Sequence, residues 1–364
     1  MKKKKEILFI TPGTYPHMTG GLEIFNYYLK HRLKDEFDVS YLAYKDSSIE
    51  GVKWKKLSST RPTKYLIPLQ TLLYLLFHPK IKMAVVSYST GYGIMWFLYS
   101  LIRKILRRDY IAVIHNGKSV ATEGYKKRKY FFDNAYKVIA VSEDIKKNYD
   151  AAYSVDCKVI YPLIPFTEAD KDKSYYRAKY HIPADCNVIS LVGSLKEMKN
   201  PQRIIEALHL FDKEELARYR PYVVYAGDGP MRGELEYLVE EKGLSDHVGF
   251  LGLIPNSCVR EIMAMTDIYL ISSDFEGTSV SLLEAMFNSK AIVASDVPGL
   301  QDMIENGKEG LLYDVKSPEQ LRKCLIELMD SKSEAERFGK AARHRFEASY
   351  DYSDVIEEYK SMLK

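Results

Sequence analysis

Two glutamates enclose seven residues in the segment Glu276-Gly277-Thr278-Ser279-Val280-Ser281-Leu282-Leu283-Glu284. The stretch follows an apolar run, Ile268-Tyr-Leu-Ile-Ser272, and continues into Leu282-Leu-Glu-Ala-Met-Phe287. That pattern reads as a buried parallel strand, a loop of small residues and a helix. Glu276 then sits in the loop and Glu284 about one turn into the helix. Thr278, Ser279 and Ser281 offer hydroxyls between them. The first N–H groups of a helix have no partner within it and attract anions. An ionised carboxylate only accepts hydrogen bonds, which suits a vicinal diol. The whole fits a ligand with hydroxyls at both ends and phosphates between them, the shape of a nucleotide sugar.

Further segments follow a common order. Val192-Gly193 precedes Lys199-Asn200; Ala226-Gly-Asp-Gly-Pro-Met-Arg232 precedes Val248-Gly-Phe-Leu-Gly252; Ser272-Ser-Asp-Phe-Glu276 opens the glutamate block, and Ile292-Val-Ala-Ser295 follows it. In this order they resemble the signature of glycosyltransferase family 4, tightly over 186–330 and more loosely before. The resemblance implies retaining enzymes of the GT-B fold: α/β, with two doubly wound Rossmann-like domains facing across a cleft.

The resemblance also implies roles. Sugar transfer needs the leaving diphosphate neutralised, the oxocarbenium-like sugar held and the acceptor hydroxyl deprotonated; neutralisation is the largest electrostatic demand. Lys199, beyond the loop Gly193-Ser194-Leu195-Lys196, falls to the diphosphate, with Asn200-Pro201 opening a helix. Glu284 matches the ribose-binding position. Glu276 matches the position that orients the donor sugar and stabilises positive charge at its anomeric carbon. Gly277, Thr278 and the N–H groups from Ser279 through Val280 and Ser281 to Leu282 complete the donor cradle. The family usually has Arg directly after the glycine, where this chain has Ser194. A charge-assisted hydrogen bond of about 1.5–3 kcal/mol is absent there, and Lys196 lacks the planar fork of arginine. Gly20-Gly21 with Glu23 resembles the family's N-terminal glycine loop, and His115, after an apolar strand, stands where the family often contacts the donor sugar. No Asp-x-Asp motif or zinc-type cluster accompanies these residues, so metal-independent transfer without a cofactor is expected. Each residue also has a plain reading: a solvated loop lysine, a structural histidine, or helix-start glutamates that stabilise by about 0.3–1 kcal/mol. Asp228 reads as a turn residue.

The elements that must position these groups follow from the alternation of patterns. The chain has 364 residues, 46% of them hydrophobic and 28% charged, enough for two globular domains. Strands are expected over 7–10, 39–43, 83–87, 111–114 and 138–141, with helices over 22–33, 66–77, 94–107 and 142–149. The second half repeats the scheme, with strands over 188–192, 223–226, 248–251, 268–271, 291–294 and 310–313. Alternation of this kind gives parallel sheets with crossover helices, and ligands at the carboxyl ends of the strands. Prolines and charge over 161–173 mark the linker. The expected domains are 1–165 for the acceptor, 166–345 for the nucleotide sugar, and a helix over 346–364 that crosses back in the family.

Four scattered cysteines suit reduced core thiols in a cytosolic setting. The apolar run after the basic Met1–Glu6 is too short for a signal-peptide core, and no run approaches the roughly 20 residues that span a bilayer. Residues 1–165 hold 28 Lys and Arg against 14 Asp and Glu, a balance of +14, whereas 166–364 hold 25 against 35, a balance of −10. A basic half suggests an anionic partner. On a helical wheel Arg103, Lys104, Arg107 and Arg108 share one face, opposite Ile94, Leu98, Leu101 and Ile105 and flanked by Trp96 and Phe97. That describes an interfacial helix, and Tyr125-Lys-Lys-Arg-Lys-Tyr-Phe-Phe132 adds a second basic-aromatic patch. The expectation is a cytoplasmic, peripherally membrane-bound retaining transferase. It would move a hexose or N-acetylhexosamine from a nucleotide sugar, UDP-sugar favoured, to a lipid-linked saccharide in cell-surface polysaccharide synthesis, with no nucleic-acid partner. A GT-B nucleotide-sugar epimerase and a non-catalytic partner subunit remain alternatives.

Overall fold

The computed structural model describes residues 4–11, 21–43, 67–88, 93–115, 125–161, 166–350 and 352–364. The chain divides into two compact units, Met1–Pro165 with Tyr352–Lys364, and Phe166–Asp351.

The first unit is built on six parallel strands: β1 Lys5–Thr11, β2 Phe37–Ala43, β3 Met83–Tyr88, β4 Asp109–Ile114, β5 Lys137–Ala140 and β6 Cys157–Val159. Their order is β2-β1-β3-β4-β5-β6. Crossover helices connect them: α1 Gly21–Leu33, α2 Ile67–Phe77, α3 Gly93–Leu106, α4 Tyr125–Asp133 and α5 Glu143–Tyr153. The strands are apolar on both faces because helices cover both sides of a parallel sheet, and Ile7, Leu8, Phe9 and Ile10 are all buried. Ser142 caps α5 by accepting the Ile145 N–H.

Two of these elements lay beyond the sequence pattern. β6 is three residues long and carries too few side chains to show a period. α4 is rich in lysine and reads as a charged patch, yet its Phe131 and Phe132 are buried. The basic face over 94–108 also needs correction. α3 ends at Leu106, and Arg107 turns left-handed at φ 51°, so Arg107 and Arg108 leave the helix. The inward residue near its end is Ile102, while Ile105 points outward.

The second unit contains α6 Lys173–Lys179, β7 Asn187–Val192, α7 Gln202–His209, α8 Lys213–Tyr219, β8 Pro221–Ala226, α9 Arg232–Glu241, β9 Val248–Gly252 and α10 Val259–Met265. It continues with β10 Ile268–Ile271, α11 Val280–Phe287, β11 Ala291–Ser295, α12 Pro298–Gln301, β12 Leu311–Tyr313, α13 Pro318–Asp330 and α14 Lys332–Ser349. Its parallel sheet has the order β12-β11-β10-β7-β8-β9. The chain leaves β7 toward β8 and later returns to place β10 on the other side. The topological switch point therefore lies between the carboxyl ends of β7 and β10.

The final helix, α15 Tyr352–Leu363, belongs to the first unit. Ile356, Tyr359, Met362 and Leu363 enter that unit's core, and Lys360 reaches Glu36 at 2.9 Å. The single helix expected over 346–364 is thus two. Phe346 lies in α14, which packs its ring against Phe166 and Phe287, and the break falls at Tyr350.

Candidate active site

The loops after β7 and β10 meet at the switch point. After β7 the chain passes Gly193, Ser194 and Leu195 and makes one 3-10 turn, Glu197–Lys199. Asn200 then adopts a left-handed conformation, φ 44° and ψ 46°, which a short polar side chain tolerates. Its side-chain amide donates to Asp274 on the other loop. Asp274 N–H donates to Met198 O at 3.0 Å, and Ser272 Oγ donates to Lys199 O at 2.7 Å. These bonds fix where Lys199 begins. Its ammonium meets Glu276 as an ion pair through Oε1. Ser273 Oγ donates to the same oxygen at 2.7 Å, and Ser295 Oγ holds Ser273 O at 2.6 Å. Among the described residues nothing donates to Glu276 Oε2. Glu276 is only 7% exposed, so this is a buried carboxylate with one oxygen engaged and one available.

Two glycines set this geometry. A Cβ on Gly227 would fall 1.8 Å from Gly193 O, and one on Gly299 would fall 2.0 Å from Glu276 O. No side chain fits at either place. Gly227 lets the β8 loop press against the β7 loop, and Gly299, on α12, lets that short helix support the backbone at Glu276.

Helix α11 starts beyond Gly277 and Thr278. Ser279 is its N-cap, and its hydroxyl accepts from Leu282 N–H at 3.3 Å. Leu282 N–H is therefore committed to the cap, while α-helical geometry gives no intrahelical acceptor to Val280 or Ser281 N–H. The Ser281 hydroxyl accepts from Tyr269 OH at 2.7 Å and so faces the protein. Glu284 is buried on α11. Among the described residues no hydrogen bond or cation reaches its carboxylate, and burial pushes its pKa up to about 8.

The remaining predicted residues lie further out. Ser194 is half-buried, and its carbonyl accepts from Lys196 N–H; the Lys196 side chain is exposed. Gly21 is the first residue of α1, while Gly20 and residues 116–117 fall outside the described residues. His115, at the end of β4, belongs to the first unit. Its ring meets Phe25 edge-on at 5.8 Å, and its buried Nε2 has no hydrogen-bond partner among the described residues. Burial lowers its pKa to about 3, so the ring is neutral across the physiological range. In the basic group, Arg103 pairs with Asp109 at 3.3 Å and Lys104 lies over the Tyr130 ring. Ser273, Ser295 and Gly299 were not singled out from the sequence, and Asn200 only as part of the lysine block and as a helix opener. Ser273 and Ser295 stand inside the quoted blocks, but their partners are distant along the chain.

Comparison with known proteins bears on the family and on the fold. Residues 172–345 match the family model described as glycosyl transferases group 1. The chain is 28% identical over 400 residues to an uncharacterized glycosyltransferase of Methanocaldococcus jannaschii, covering 100% of this chain and 99% of that one. It is 24% identical over 264 residues to the poly(ribitol-phosphate) alpha-N-acetylglucosaminyltransferase of Staphylococcus aureus, covering 70% of this chain and 50% of that protein. Among solved structures, Alr3699/HepE of Anabaena in complex with UDP superposes with a TM-score of 0.80 at 18% identity, covering 98% of this chain and 99% of that one. The sucrose-phosphate synthase of Thermosynechococcus elongatus gives a TM-score of 0.82 at 18% identity, covering 99% and 98%. Residues 172–345 thus resemble the glycosyl transferases group 1 model, in a chain with the GT-B fold.

Proposed function

We propose that the protein is a retaining glycosyltransferase. It moves a hexose or N-acetylhexosamine from a UDP-sugar to a lipid-linked saccharide in cell-surface polysaccharide synthesis, at the inner face of a membrane. The Lys199–Glu276 pair at the switch point carries this reading, with the unpaired buried carboxylate of Glu284 eight residues on. The uridine donor is supported by the relatives: the Anabaena protein was solved with UDP and with UDP-glucose. A polymeric acceptor is supported by the S. aureus relative, a poly(ribitol-phosphate) alpha-N-acetylglucosaminyltransferase.

Glu284 binds the ribose hydroxyls: burial favours its protonated form in the empty site, and the hydrogen bonds donated by the diol favour the ionised, accepting form. The N–H groups at the start of α11 and the ammonium of Lys199 take the diphosphate. The bond between the anomeric carbon and the phosphate oxygen breaks, and its electron pair leaves with UDP. The acceptor oxygen forms the new bond on the same face, and its proton passes to the departing phosphate. Lys199 answers the growing negative charge, and Glu276 answers the positive charge at the anomeric carbon. Donor binding thus exchanges the partner of Lys199 from carboxylate to phosphate. Ser194 offers a hydroxyl where a guanidinium would add charge, so Lys199 carries more of the neutralisation.

The test is incubation with UDP-glucose, UDP-galactose and UDP-N-acetylglucosamine plus a saccharide acceptor, with the product anomer read by proton NMR. An α-linked product from an α-configured donor, formed equally in excess EDTA, is expected. An inverted anomer would refute retention, and activity lost to EDTA and restored by magnesium or manganese would refute metal independence.

A further inference from the structure

The first unit contains a surface that its donor chemistry does not use. Helix α2 buries Thr71 and Leu75 and turns Leu73, Leu76 and Phe77 to solvent, 46%, 58% and 76% exposed. Leu73, Leu76 and Phe77 follow the helical spacing i, i+3 and i+4, and exposed Lys80 lies just beyond the helix end. The outward face of this helix is therefore apolar, the reverse of an ordinary surface helix. Helix α3 packs beside it and adds Ile105, 63% exposed. Both helices end where the next strand begins, since Asp109 N–H donates to Lys82 O at 3.0 Å. The patch lies at the amino-terminal end of the sheet.

Cations border it. Lys80, Lys82, Lys104 and Arg107 are exposed at these helix ends. From residue 51 to residue 108 the sequence has 11 Lys and Arg and no Asp or Glu. The first carboxylate after that tract, Asp109, is paired with Arg103. Projecting apolar side chains bordered by cations that form no ion pair among the described residues match an anionic lipid leaflet: acyl chains take the former and headgroup phosphates the latter. A protein partner of ordinary polarity would leave either the apolar stripe or the cations unmatched.

We propose that the C-terminal halves of α2 and α3 form a membrane-docking face. Leu73, Leu76, Phe77 and Ile105 enter the boundary between headgroups and acyl chains of an anionic leaflet, and Lys80, Lys82, Lys104 and Arg107 meet its phosphates. This rests on the membrane placement proposed above and replaces the helix face over 94–108 as the contact. Binding then has two parts, a salt-sensitive attraction and a salt-resistant insertion.

The experiment is co-sedimentation of the full chain with phosphatidylcholine vesicles, with and without 30 mol% phosphatidylglycerol, at low and high salt. Wild type should bind the anionic vesicles. Leu76→Ser/Phe77→Ser should lose at least tenfold in affinity at high salt, and Lys80→Glu/Lys104→Glu at least tenfold at low salt. All four positions are exposed, so unchanged thermal unfolding checks the fold. A Phe77→Trp variant should show blue-shifted emission on the vesicles and quenching by brominated lipid. Vesicle binding by wild type that the Leu76→Ser/Phe77→Ser variant retains would overturn the docking face while sparing the membrane placement. No vesicle binding by wild type would overturn both. A self-associating wild type made monomeric by Phe77→Ser would assign the face to a second copy instead.

Discussion

At the scale of single residues the site is a set of charges waiting for a ligand. Lys199 and Glu276 neutralise each other, so removing either strands the other in a poorly solvated place. Lys199→Ala is expected to lower turnover at least a hundredfold, because the leaving phosphate loses its cation. It should also destabilise the fold by about 1–3 kcal/mol, the cost of an unsatisfied buried group. Lys199→Ala/Glu276→Gln should recover most of that stability and none of the turnover. Denaturant unfolding of the three variants measures the coupling, and additive losses would show that the pair is not formed in solution. Glu284 behaves in the opposite sense. Its folded pKa of about 8 lies above the unfolded value, so the protonated form favours folding. That contribution is full below the ordinary glutamate range and is lost as pH rises toward 8. Glu284→Gln should therefore raise the thermal midpoint at pH 8 while weakening UDP binding about tenfold by calorimetry. A variant that keeps wild-type affinity for UDP would remove Glu284 from the ribose site.

At the scale of elements, the loops that carry chemistry are held by contacts that the sequence does not display. The glutamate block, the lysine and most strands were legible because a parallel strand is a continuous apolar run and a helix start has its own residues. The Lys199–Glu276 pair was not, since it joins positions 77 apart through Asn200, Asp274 and Ser273. Nor was the end of α3, because Arg107 takes a left-handed conformation that no glycine announces. The outward face of α2 was not legible for a related reason. Helical spacing alone could not say which side of an almost wholly apolar helix, α2, the sheet would cover. Gly299 stayed hidden because its constraint is a backbone oxygen brought near by folding. Gly299→Ala should displace the Glu276 loop and cut kcat at least tenfold while circular dichroism stays native. Unaltered kcat in that variant would show that the loop yields without cost.

At the scale of the whole molecule, the first unit is discontinuous in sequence, with α15 completing its core beside Phe25. A chain cut to 1–165 should expose the surface that Tyr359 and Leu363 cover, bind apolar dyes and aggregate, whereas 166–351 should unfold cooperatively alone. A monomeric, cooperatively folded 1–165 fragment would show that α15 is dispensable. The placement of the docking face has one more result. It lies at the amino-terminal ends of the strands, whereas ligands of such sheets bind beyond the carboxyl ends. The six residues of β4 separate Asp109 from His115, roughly 20 Å at the rise of a parallel strand. The sheet would then act as a ruler, holding the reacting hydroxyl at a fixed height above the bilayer. On vesicles, lipid acceptors with a single sugar should be poor substrates and those with several sugars good ones. Once detergent frees the acceptors from the plane of the membrane, the two should react alike, and equal rates on intact vesicles would show that strand length sets no such distance.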